Sequence, residues 1–203
     1  MHPYTTDSAE RKYIPFMVAV GSILAAWGLY KILEIIKLVP PWWVDAPSVV
    51  GFYGVFYKLF DKWLWQWGVF RKIKLVRVRD LNGTWQGHAA SSFDQHATRH
   101  DATIKIHQTW TKINICLETS NSKSKSVIAA IITGEPEATL LSYEYFNEPK
   151  ANAVPRMHAH RGTARLHLHK REAGETLEGE YYSGRDRQNY GSLQFTREPR
   201  GNT

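Results

Sequence analysis

The chain has 203 residues, 43% of them hydrophobic and 22% charged, enough for one ordinary domain with an accessory segment. Its formal net charge of +7 is uneven: residues 1–79 carry +6 and residues 80–203 only +1. Nucleic-acid binding needs a clustered basic face, but here the basic excess flanks apolar segments. DNA and RNA are therefore excluded as partners, and anionic headgroups of a lipid bilayer are the nearer ones. The single cysteine, Cys116, rules out an intrachain disulfide and, within the apolar run 113–117, reads as a packed thiol.

Residues 1–12 read as an N-terminal cytoplasmic tail. From Tyr13 to Tyr30 no residue is charged, and at about 1.5 Å per residue this run is long enough to cross a bilayer. It exceeds the apolar core of a signal peptide, and Lys31 to Val39 continues as helix rather than as a cleavage site. Gly21, Ala25 and Gly28 give it small side chains suited to close helix packing. The segment 40–47 is a turn, with Trp42 and Trp43 placed at the headgroup level. A second apolar stretch, 46–70, is interrupted by Lys58, Asp61 and Lys62, and Trp63, Trp65 and Trp67 make a second interfacial belt. It reads as a second, tilted span; an interfacial re-entrant helix is the other arrangement the interruption allows. Residues 13–70 are thus expected to be a two-helix transmembrane region, followed by a basic juxtamembrane linker, 71–80, in which Arg71, Lys72 and Lys74 meet lipid. Basic residues flank both spans and are missing from the turn between them, which orients both termini to the cytoplasm.

From Leu81 the period changes from helical to alternating. Eight strands are predicted, near 83–91, 102–109, 111–120, 124–133, 137–147, 160–170, 175–183 and 189–197, separated by Gly-, Asn- and Pro-bearing turns. The fold class expected is an α+β membrane protein, two N-terminal transmembrane helices followed by a minimal eight-stranded antiparallel up-and-down β-barrel over 81–199, with 200–203 a short tail. Such a sheet closes to remove its edges, and eight strands leave room for one small ligand. The Gly83-Thr84-Trp85 that opens the first strand sits where lipocalin-like barrels carry Gly-x-Trp.

Period-2 parity separates the inward polar residues into two ends. Gly83, Trp85, Gln108 and Trp110 form an aromatic floor. Ser124, Ser126, Tyr143, Tyr145, Asn147, Tyr181 and Ser183 gather at the other end with the hairpin Arg185-Asp186-Arg187, and these residues, with Arg185 from the hairpin, are the candidate ligand-binding set. Tyrosines to stack on, an arginine for phosphate, and hydroxyls and an amide for base edges suit a ligand with flat rings and phosphates. A filled barrel whose polar residues bond one another is the alternative. No metal site is expected: His158/His160 and His167/His169 lack accompanying acidic or thiol ligands. No nucleophile elbow, P-loop or carboxylate pair points to an enzyme, so no catalytic residue is assigned.

The order of features resembles the two-transmembrane, β-strand-rich effectors encoded beside CD-NTase enzymes in bacterial CBASS anti-phage operons. The residues that carry the likeness are the two apolar spans and basic linker, then 81–87 (LNGTWQG), 106–110 (IHQTW), 141–149 (LSYEYFNEP), 160–164 (HRGTA) and 177–185 (LEGEYYSGR). The resemblance implies that the barrel binds a cyclic oligonucleotide second messenger, most simply a cyclic dinucleotide. It also implies that the protein assembles as a homo-oligomer on activation and disrupts the bacterial inner membrane. No cofactor is implied beyond that activating nucleotide. A membrane-anchored barrel that holds an apolar ligand or a protein partner is the rival reading.

Overall fold

A computed structural model of the chain describes residues 1–37, 45–134, 139–171, 174–185 and 187–199. It divides into two compact units, 8–77 and a second made of 1–7 with 78–203.

The first unit is helical. Helix α1 spans Glu10–Ile35 and α2 spans Asp45–Lys62; a 3-10 turn at Leu64–Gln66 and a short α3, Gly68–Lys72, follow. α1 starts earlier than the apolar run, so Pro15 lies inside it and leaves one carbonyl a turn earlier without its amide. Glu10 is completely buried, its Oε2 accepting from the Ser8 hydroxyl at 3.1 Å and the Arg77 amide at 2.6 Å. The Tyr13 hydroxyl donates to the Leu75 carbonyl at 2.9 Å, so the start of α1 is pinned to the linker. Most apolar side chains of α1 face outward, including Phe16, Leu24 and Trp27, each more than 60% exposed. Such a surface is stable only against lipid or protein.

Among the described residues α1 alone is long and apolar enough to cross a membrane. α2 does not qualify, because Lys58, Asp61 and Lys62 crowd its C-terminal half. Trp63 and Trp67 are exposed, but Trp65, expected beside them at the membrane interface, is buried. The chain leaves the α-helix at Trp63 and winds as a 3-10 turn, which carries Trp65 inward while its neighbours stay out. Trp42 and Trp43 lie outside the described residues. Arg71, Lys72 and Lys74 are exposed.

The second unit is a closed eight-stranded antiparallel barrel of β3 Gly83–Ser91, β4 Arg99–Gln108, β5 Lys112–Thr119, β6 Ser122–Ile132, β7 Thr139–Pro149, β8 His160–Arg171, β9 Gly174–Ser183 and β10 Tyr190–Arg197. Each strand pairs with the next in sequence, and β10 pairs with β3 to close the circle. Ile104, Ile106, Ile113, Ile115, Leu166, Leu177 and Phe195 alternate inward as a core that is essentially inaccessible. Trp85 and Trp110 fill one end. There the Gln108 side chain accepts from the Leu81 amide at 2.8 Å, and the Trp85 Nε1 donates to the Leu81 carbonyl at 3.0 Å.

Residues 1–12 are not a tail. His2–Pro3 (β1) pairs antiparallel with β5, and Thr5–Thr6 (β2) pairs parallel with β6, so the first seven residues belong to the barrel unit. Seven strand interfaces run over seven or more register positions. β5 and β6 pair at only three, Cys116, Leu117 and Glu118 with Lys125, Ser124 and Lys123. Below that fork the N-terminal segment fills the gap.

Candidate functional site

At the end away from the tryptophan floor the barrel encloses a cavity of about 710 Å³, well inside the range of small-molecule pockets. Strand alternation places Ser124 on β6, Tyr143, Tyr145 and Asn147 on β7, and Tyr181 and Ser183 on β9, all on its wall. Tyr143 and Tyr145 are two residues apart on one face, and their rings sit 6.2 Å apart at 54°. Burial pushes the Tyr145 phenol up to about 12, although its hydrogen bond with Ser183 and the charge of Arg187 pull the other way. Burial raises that of Tyr143 as well. Both therefore remain protonated donors at neutral pH.

Two glycines make room for the aromatic wall. Gly162 on β8 stands opposite Tyr145, and a methyl there would meet the Tyr145 hydroxyl and Cζ and come within 2.5 Å of the Tyr182 carbonyl oxygen. Gly191 on β10 lies first against the Ala90 backbone carbonyl, which an added Cβ would strike, and also against Tyr181, whose Cε1 would lie 2.6 Å from that Cβ.

Two of the sequence-derived candidates do not line the cavity. Arg185 is exposed in the β9–β10 turn, and the hairpin instead turns Arg187 toward the cavity, its guanidinium 5.6 Å from the Phe93 ring. Period-2 parity ends with the strand at Ser183, so it has no authority over the turn. Ser126 is buried but bonded elsewhere: its Oγ accepts from the Ile115 amide at 2.9 Å and lies 2.7 Å from His2 Nε2. A β-bulge between Ser126 and Ile128 shifts the register by one residue there, and the ladder with β7 resumes from Ile128.

The cavity also has walls that parity did not supply. His100 precedes the predicted start of its strand but shares the inward face of Ala102 and Ile104, and its Nε2 lies 3.2 Å from Asp94 Oδ2. The connection after β7 contributes Pro155, Arg156 and Met157; it is fastened by Lys150, whose amide donates to the Asn121 carbonyl and whose Nζ donates to the Thr119 carbonyl, both at 2.8 Å. The Asn147 Nδ2 points at the Met157 sulfur, 3.4 Å away. Among the described lining residues there are two arginines and a histidine and no carboxylate. This polar, cationic, tyrosine-bearing enclosure favours an anion with flat rings over an apolar one.

Residues 76–197 match the family model described as "Cap15, cyclic dinucleotide receptor domain", and residues 12–66 match "Cap15, TM helices". The chain belongs to the Cap15 family. Among its relatives, a CD-NTase-associated protein 15 of Yersinia aleksiciae is 35% identical over 153 residues, covering 74% of this chain and 69% of the relative. One of Staphylococcus schleiferi with the same name is 27% identical over 143 residues, covering 70% and 74%. The barrel is thus the receptor domain of a Cap15-type, CBASS-associated protein, and the cavity lies wholly within the matched segment. The Cap15 transmembrane match takes in α2 and all of α1 except Glu10 and Arg11.

Proposed function

We propose that this chain is a CBASS effector that binds a cyclic dinucleotide in the barrel cavity, oligomerises, and disrupts the inner membrane to abort phage infection. The observation that carries the first step is the cavity lining. Arg187 and Arg156 are placed to neutralise phosphates, Tyr143, Tyr145 and Tyr181 to pack on base rings, and Ser124, Asn147 and Ser183 to bond base edges and ribose hydroxyls. Nothing in this scheme is chemically altered, and no metal or cofactor is required; the nucleotide acts as the activating ligand.

The topology of the chain supports two crossings. The N-terminal strands and the C-terminal domain are parts of one barrel, so they share a side of the membrane. The helical segment between them must then cross an even number of times. With α1 as one span, α2 is the return, its Lys58 and Lys62 snorkelling to the headgroups. The basic residues at 71–79 favour the cytoplasm for both termini and for the cavity. A ligand drives assembly only by binding the assembled state more tightly, and confinement to a bilayer raises the effective concentration so that modest contacts suffice.

The test is a thermal shift of the full chain in detergent against cyclic dinucleotides carrying two purines, two pyrimidines, or one of each. The N-terminal strands complete the barrel, so the chain is used whole. One of these ligands is expected to raise the melting temperature at micromolar concentration. No shift with any of them refutes the reading.

A further inference from the structure

The seam between β5 and β6 is an unusual place in a closed barrel. Below its three paired positions the two strands would present unpaired edges, which closed barrels otherwise abolish. The chain's own residues 2–7 occupy that opening. His2 and Pro3 lie opposite Ile113 and Lys112, and Thr5 and Thr6 lie opposite Ala130 and Ile131. A proline is acceptable there because an edge position need not donate. Between the two short strands Tyr4 is buried, its hydroxyl donating to the Trp110 carbonyl at 2.8 Å and lying 3.3 Å from Gln108 Nε2.

The far end is held by charge. Asp7 Oδ1 accepts from the Thr133 amide at 2.8 Å and its hydroxyl at 3.0 Å, and Oδ2 accepts from the Gly134 amide at 2.7 Å. At the near end, Ser126 sits in the fork and joins Ile115 to His2. Two residues after Asp7 the chain passes through Ala9 into α1. The helical unit thus has two covalent attachments to the barrel, one through Val78 toward β3 and one through the segment seated on β5 and β6. Those same strands carry Leu117, Thr119 and Ser124 of the cavity wall.

We propose that residues 2–7 are a strut that fastens α1 to β5 and β6 and passes changes at that seam into the membrane helix. A detachable latch fits less well, since release would expose two strand edges, the Tyr4 ring and the Asp7-bound amides at once. The strut gives the nucleotide-gated reading above its route from cavity to helix, and for that output it rests on that reading.

The experiment uses the full chain in nanodiscs and vesicles of anionic lipid, native and with Gly-Ser-Gly-Ser inserted between Asp7 and Ser8. The insertion leaves the seam contacts in place and lengthens the short connection between Asp7 and α1. Without ligand, Ser126→Ala is expected to speed hydrogen exchange at residues 113–115 in both backgrounds, and at residues 13–16 only without the insertion. If Ser126→Ala leaves 113–115 unchanged, Tyr4→Ala replaces it as the perturbation. Faster exchange at 113–115 with none at 13–16 in the native background overturns the strut, as does a response at 13–16 that survives the insertion. With a cyclic dinucleotide that stabilises the native chain, the insertion is expected to leave the Kd within threefold and to cut dye release at least tenfold. Release at the native level also overturns the strut. If no cyclic dinucleotide binds the native chain, the functional reading fails, and the exchange result alone decides the strut.

Discussion

Gly162→Ala tests the aromatic wall of the cavity from behind. The added methyl meets the Tyr145 hydroxyl and Cζ and the Tyr182 carbonyl oxygen, the last at 2.5 Å. Ordinary carbon contacts fall near 3.5 Å, so the overlap is about 1 Å. Tyr182 Oxygen belongs to a paired strand and cannot retreat cheaply, and Tyr145 is buried beside Tyr143, so relief must displace the Tyr145 ring into the cavity. Overpacking of this kind costs about 1–3 kcal/mol. Taking about 2 kcal/mol, the barrel should melt about 6–10 °C lower, since 1 kcal/mol moves a domain of this size by several degrees. The assay is thermal unfolding of the full chain followed by near-ultraviolet circular dichroism, with a parallel binding titration. Cyclic dinucleotide affinity should fall at least tenfold. In the double variant Gly162→Ala/Tyr145→Ala, the glycine substitution should cost less than it does alone. A single variant that melts within 1 °C of the native chain and binds equally well would refute the claim that Gly162 makes room for the ring.

Four further outcomes follow from the same geometry. Arg187→Ala should weaken cyclic dinucleotide binding by about tenfold or more, near 1.4 kcal/mol, while Arg185→Ala changes it less than twofold; calorimetric titration separates them. Tyr4→Ala removes a buried ring and its bond to Trp110, and should destabilise the barrel by about 3–4 kcal/mol in denaturant unfolding. Tyr145 has a folded-state pKa raised above the ordinary tyrosine value, so its contribution is full below pH 10 and is lost as pH rises toward 12. Unfolding free energies measured from pH 9 to 12 should fall across that window, and Tyr145→Phe should flatten the fall. Asp7 is pulled in two directions, upward by desolvation and downward by the Thr133 and Gly134 amides, and the amides prevail. Its contribution should therefore be present above pH 4 and lost below it, a loss that Asp7→Asn abolishes in the same denaturant assay.

The barrel was legible because alternation is a strong signal wherever one face of a strand is buried. Ile104, Ile106, Ile113 and Ile115 announce their strands, and the inward polar set on β6, β7 and β9 follows by parity. Parity fails where the ladder does. It assigned Arg185 across the end of β9, where Gly184 begins a turn, and the turn delivers Arg187 instead. It could have found His100, which shares the inward face of Ala102, had the strand been extended three residues. The loop residues Arg156 and Met157 carry no periodic signal at all.

The helical third was legible as apolar but not as geometry. Trp63, Trp65 and Trp67 look alike in sequence, yet the helix ends at Lys62 and only Trp65 is buried. The N-terminal strands were invisible for a different reason. Two-residue strands have no period, and β1 and β2 exist only because the β5–β6 seam offers each of them an edge. Their stability is tertiary, resting on Tyr4 and on the Asp7 carboxylate, and no local pattern encodes it.

The central claim is that occupancy of the barrel cavity controls the membrane helices. The most direct measurement places the native chain in anionic vesicles loaded with a fluorescent dye and titrates a cyclic dinucleotide while following binding and release together. The account predicts an intact bilayer without ligand, release that rises with occupancy, and in Arg187→Ala a shift of binding and release together to about tenfold higher ligand concentration or beyond. Saturated binding with no release, or release that is the same without ligand, would contradict it.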